Sequence, residues 1–246
     1  MAKLVQLQNG RTWKTQGAAL GHFKDMLSRY GDGDTVEDHA DHDDLVALLE
    51  RYDAVITHGP SKTGRGIDCF LRRRNVFEGF STPGFWVRRV DESETDFSYI
   101  HAVKGQPKTN AQEFYDACRG AVAVDLAAAK KRHFSTYGDE DKRVPCELTE
   151  RLITFEEAHL DHAYPTFGQL VLSFRAAREW QHGVPDTILS APSDGQTTTT
   201  FVDPAVEAAF RQFHHAAATL RIIARERNLA MAAGQRRPKI KRPVVL

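Results

Sequence analysis

The hydrophobic and polar positions alternate between two periods. In residues 17–30 (GAALGHFKDMLSRY), Leu20, Phe23, Met26 or Leu27 and Tyr30 recur at helical spacing, and Gly31 to Gly33 supply turn chemistry behind them. Residues 41–52 predict a second helix with Leu45, Leu48 and Leu49 on one face. Short β-prone runs follow at 54–57, 66–71, 85–90 and 97–103, and the polar turn 91–96 makes the last two a predicted hairpin. Residues 105–110 (GQPKTN) read as a loop, after which Thr109 or Asn110 caps an alanine-rich helix from 111 to about 134. Two short β-like pieces around a turn are predicted within 146–163. A helix at 166–180 then carries Phe167, Leu170, Val171, Phe174 and Ala177 on one stripe. Residues 183–200 are irregular, and Asp203 with Pro204 opens a last helix predicted to reach Leu229.

Helices followed by a small antiparallel sheet make this an α+β chain with an N-terminal module over 1–104. A linker and connecting helix span 105–145. A mainly helical C-terminal half, 146–246, ends in a basic, proline-containing tail.

Composition sharpens this. No apolar run approaches the roughly 20 residues that a bilayer requires, and the first residues have no secretory apolar core, so a soluble cytoplasmic protein with no membrane partner is expected. Cys69, Cys118 and Cys146 are too few and too scattered for a disulfide framework or a zinc knuckle. Thirty-three Lys and Arg balance thirty-three Asp and Glu, which alone speaks against a polyanionic partner. The balance is local cancellation, however. Residues 30–53 hold nine acids against Arg51, whereas residues 211–246 hold nine bases against Glu226.

Metal-capable groups concentrate in residues 154–167 (TFEEAHLDHAYPTF). In an extended strand His159 and Asp161 project to one side and His162 to the other. A carboxylate can then hold a cation while the adjacent imidazole faces a water, the requirement of metal-assisted phosphodiester hydrolysis. The plainer reading is a polar loop at a helix start with Asp161 as a cap.

The run from Cys146 to Phe174, with its opening C-x-L-T, short hairpin, His-Leu-Asp-His and a proline before the next helix, resembles the ββα-metal, or HNH, nuclease motif. The resemblance implies Asp161 as ligand of Mg²⁺ or Mn²⁺, His162 as general base, and His159 as an extra ligand or phosphate contact. It departs from the pattern in having no Asn or His between Pro165 and Trp180. Asn228, in the run LRIIARERNL, is similar to the Asn-Leu of that motif and is expected to orient His162 or bind the metal, with Gln235 a further candidate ligand; a helix C-cap is its alternative role. Of His214 and His215, one is expected to pack and the other to be solvated.

In the N-terminal third, residues 17–30, the helix around Asp44 to Leu49, Lys62 to Ile67 (KTGRGI), Phe85 to Arg89 (FWVRR) and Asp96 to Tyr99 (DFSY) together resemble the DCL (defective chloroplasts and leaves) domain, a nucleic-acid-associated module. The glycine-flanked loop with Lys62 and Arg65 suits a phosphate contact. Phe85 and Trp86 fit either base stacking or a hairpin core. Arg221, Arg225, Arg236 and Arg237 would grip the backbone. The combined expectation is a metal-dependent endonuclease on DNA, in restriction or defence, with a non-catalytic RNA-processing protein as the alternative. Palindromic cutting would call for a homodimer.

Overall fold

A computed structural model describes residues 3–56, 59–77, 80–194 and 198–231. The chain forms two compact units, Met1–Thr109 with Ala191–Thr199, and Asn110–Ser190 with Thr200–Leu246. The α+β class is as expected.

In the first unit β1 (Val5–Gln6) and β2 (Thr12–Trp13) form a small antiparallel pair. Helix α1 (Gln16–Arg29) starts where the Thr15 hydroxyl accepts from the Ala18 N–H, and α2 (His39–Asp53) where the Asp38 carboxylate accepts from the Asp41 N–H. Three antiparallel strands follow in the order β3 (Ile67–Phe77), β4 (Phe80–Arg89), β5 (Glu94–Phe97). The core brings Phe23, Met26 and the leucines of α2 against Phe70, Phe85, Val87 and Phe97, with Phe85 directly opposite Phe97. Each such side chain contributes roughly 1.5–3 kcal/mol by leaving water. Phe85 is therefore core and unavailable to a base, while the Trp86 indole N–H donates to Asn75 Oδ1 at 2.8 Å.

Two strand expectations in this unit are not met, one giving way to a turn and the other to helix. Residues 54–56 close α2, with the Ala54 N–H bonded to Glu50 O; Thr57 lies outside the described residues. Only Phe97 of 97–103 is strand, because Ser98 caps a short helix α3 (Tyr99–Lys104) that Gly105 ends in the left-handed region at φ 60°. The sheet hairpin thus joins β4 to β5.

The second unit is organised along α4 (Asn110–Tyr137), which packs within it. The first half of α4 lays Phe114, Cys118 and Val122 against Phe167 and Phe174 of α5 (Phe167–Ala177) and Phe210 of α6 (Pro204–Ala217). Its second half lays Ala129 and Phe134 against a cluster from β6 (Val144–Pro145), β7 (Leu152–Ile153), β8 (Ala158–His162) and β9 (Leu220–Ala224). The two β-like pieces expected to pair with each other, β7 and β8, instead take different partners, β6 and β9. The helix expected to run from 204 to 229 stops at Ala217. Its continuation, Leu-Arg-Ile-Ile-Ala, is buried at every position and centred on two β-branched isoleucines, and it pairs with β8 as β9 before the chain turns into α7 (Arg225–Ala230). Among the described residues no helix is long and apolar enough to cross a membrane.

Thr166 closes a capping box with Gln169 at the start of α5, after Pro165. Thr166→Ala is expected to lower the stability of the second unit by about 1 kcal/mol in urea denaturation, with the folded-state circular dichroism unchanged.

Candidate functional site

Strand alternation on β8 decides which functional side chains meet. His159 and Asp161 share one face, Leu160 and His162 the other, and the antiparallel register sets Asp161 opposite Arg221 and His159 opposite Ile223. Two strands and then α7 give the chain-order β8, β9, α7, with residues 163–219 between the strands.

Arg221, expected to grip nucleic acid, is 1% exposed. Its Nε and Nη2 lie 3.0 and 2.9 Å from Asp161 Oδ2, and the carboxylate is equally buried. A cation and an anion directly opposite on adjacent strands, both out of water, are held to each other. This pairing bears on the metal expected at Asp161. A hard dication there would have to displace the guanidinium that already neutralises the carboxylate, and among the described residues no group of three or more His, Cys, Asp or Glu is placed to hold a metal. Asp161 and His159 do not fit the expected Mg²⁺ or Mn²⁺.

His162 turns to the opposite face, where its Nε2 lies 2.8 Å from Nε2 of His214 on α6. Both rings sit among aromatic side chains, Phe167 against each and Phe210 against His214. At 2.8 Å one ring must hold the proton that the other accepts. Burial, then the neighbouring His215, pushes the His214 pKa down to about 4, while Asp125 opposes them, so this ring is neutral at pH 7. Its Nδ1 is buried with no hydrogen-bond partner among the described residues. His215 is the partly solvated one of the two, 3.2 Å from Asp125. His162 is thus engaged inside the fold, away from where a general base must meet water.

The imidazole that faces outward is His159. It is half-buried, and Nδ2 of Asn228 on α7 lies 3.1 Å from His159 Nδ1. Asn228 therefore orients His159, where the expectation was His162, because α7 packs over the other face of β8. Burial, then the charges of Lys130 and Arg225, lower the His159 pKa against a smaller opposing effect of Asp161. Lys130 donates from Nζ to the carbonyls of Phe155 and Ala158, both at 2.8 Å, and lies over the Phe155 ring. Arg225 is exposed. Of the remaining expected contacts, Arg65 is exposed, Lys62 is buried with its Nζ on Thr95 Oγ1 at 2.8 Å, and Arg236, Arg237 and Gln235 lie outside the described residues. Nothing in the local sequence around Lys130 marks this role, because its partners lie 25 and 28 residues further on.

Removing one member of the buried pair leaves the other charge uncompensated, so Asp161→Ala and Arg221→Ala are each expected to cost about 3–5 kcal/mol in denaturant titrations. The double change Asp161→Leu with Arg221→Met should cost less than either. A second expectation concerns acid. The folded pKa of His214 lies below the ordinary value of about 6.5, so its contribution to stability is intact above 6.5 and is lost as pH falls toward 4, by roughly 3 kcal/mol in all. His214→Leu should flatten that part of the stability profile.

Residues 24–103 match the model of a protein family of unknown function, DUF3223. The solution NMR structure of an uncharacterized protein from Rhodospirillum rubrum is 34% identical, covering 42% of this chain and 89% of that one, with a TM-score of 0.35. No curated protein matches the chain.

Proposed function

We propose that the chain is a phosphodiester hydrolase acting on nucleic acid, an endonuclease whose hydrolytic centre is the β8, β9 and α7 unit and whose substrate is DNA. The observation that carries this reading is the hydrogen bond between His159 on the first strand and Asn228 on the helix that follows the second. A general base needs a neutral imidazole near its working pKa, held in one orientation and reachable by water. His159 meets these needs: its lowered pKa keeps it neutral at pH 7, and Asn228 fixes the ring through Nδ1. As placed, Asn228 Nδ2 donates to His159 Nδ1, which leaves the ring proton on Nε2. Turning the carboxamide to present Oδ1 puts the proton on Nδ1 and frees the Nε2 lone pair for the attacking water, so the amide orientation selects the active tautomer. Arg225, exposed and close enough to depress the His159 pKa, supplies positive charge for the scissile phosphate.

A second reading, a nucleic-acid-binding protein without catalysis, is favoured by the Asp161–Arg221 and His162–His214 pairs, which occupy these groups within the fold. One assay separates the two. Purified protein is incubated with supercoiled DNA, linear duplex and RNA, with Mg²⁺, Mn²⁺ or chelator. Nicking of DNA is expected, with His159→Ala slower by 10²–10⁴-fold and the acid limb of the native pH–rate profile below 6.5. Native-rate cutting by His159→Ala overturns the assignment of the base. Binding with no cutting of any substrate overturns hydrolysis and leaves the second reading.

A further inference from the structure

We propose that Arg89, Lys62 and Thr95 of the first unit form a binding site for a phosphate group, and that Asp194 is an internal carboxylate that occupies it. The inference concerns binding alone and does not depend on hydrolysis at His159.

Arg89 on β4 is 4% exposed, and its five N–H donors fall into two sets. Three are directed at neighbouring groups of the same module: Nε donates to Lys62 O at 3.0 Å, Nη2 to Ser61 O at 3.1 Å, and Nη1 to Ser93 Oγ at 3.1 Å. The other two point together at Asp194, Nη1 to Oδ2 and Nη2 to Oδ1, each at 2.9 Å. The Thr95 side chain bonds Asp194 as well, and the buried Lys62 ammonium, bonded to Thr95 Oγ1, adds its charge to the same carboxylate. Arg89 above all, through its hydrogen bonds, holds Asp194 below the usual carboxylate range.

The loop that frames Arg89 is built independently of Asp194. The Asp53 carboxylate accepts from the Ser61 hydroxyl and from the N–H groups of Lys62 and Thr63, at 2.6 to 2.8 Å. Gly64, at φ +53°, crosses so near the Arg89 side chain that a Cβ would stand 2.6 Å from its Cδ. The fork is thus fixed before any anion arrives, the preorganisation that bidentate phosphate recognition exploits.

Asp194 itself comes from 105 residues further along the chain, where the described residues 190–194 form no helix or strand, and its side chain is 39% exposed. A phosphate presents two oxygens across the span of a carboxylate, a third for the Thr95 hydroxyl, and more negative charge. It therefore competes with Asp194 for the same donors, and the Asp194 carboxylate masks the site until it does.

Asp194→Asn removes the charge and keeps the shape. In calorimetric titration, the variant is expected to bind inorganic phosphate at least tenfold more tightly than the native chain, and Arg89→Lys in that background should abolish the gain. Short oligonucleotides with 5′-phosphate or 5′-hydroxyl ends assign the source: a preference for the first indicates a terminal phosphate, equal tightened binding a backbone phosphate. Equal phosphate affinity of variant and native chain overturns the proposal. Should the variant not fold, hydrogen exchange of the native chain decides, because displacement must raise exchange at 191–194 when phosphate or oligonucleotide is added. Unchanged exchange at saturating ligand overturns it.

Discussion

The ion pair between Asp161 and Arg221 fixes the register on which the second unit depends. Two charges sealed from water tolerate no alternative partner, so the pairing of β8 with β9 can occupy one alignment only. A slip by one residue would put Asp161 on the aromatic face and drive His162 to the other. With the register fixed, the remaining contacts follow: His162 reaches His214, and His159 comes under Asn228. A strand of five residues thus separates two histidine environments by alternation, one dry and aromatic, the other half open and cationic.

Much of the scaffold was legible because its signals are local. The leucine and phenylalanine stripes of α1, α2 and α5, the Asp203–Pro204 start of α6 and the long alanine-rich helix all stand where short-range spacing and capping put them. The failures share one cause. β9 was read as helix because Leu220 to Ala224 has no local mark of its partner sixty residues back, and only that partner makes five consecutive buried positions a strand. In the same way Asp161 was read as a ligand because its counter-charge was invisible. The density of polar groups in 154–167 is plain in the sequence, but the sorting of His159, Asp161 and His162 is tertiary.

Charge segregation along the sequence also changes meaning in three dimensions. The acidic stretch is largely consumed inside its own unit: Asp32 pairs with Arg72 and Arg74, Asp41 with Arg29, and Asp44 with Arg11 and His22. Glu94 does the same for Arg73 and Arg88. Arg72, Arg73, Arg74 and Arg88 on β3 and β4 are thereby paired within the unit, and the informative cations are those with an unusual setting, Arg89 in its cage and Arg225 beside His159.

The long excursion between β8 and β9 carries a kinetic consequence. As the chain leaves the ribosome, β8 emerges with no strand to join, and Asp161 stays hydrated until residue 221 arrives. Closing a loop of that length is entropically slow but only weakly length-dependent, and prior collapse of α5 and α6 onto α4 shortens the effective tether. Chain order imposes one limit: the sheet that holds both histidine environments cannot close before residues 220–224 are made.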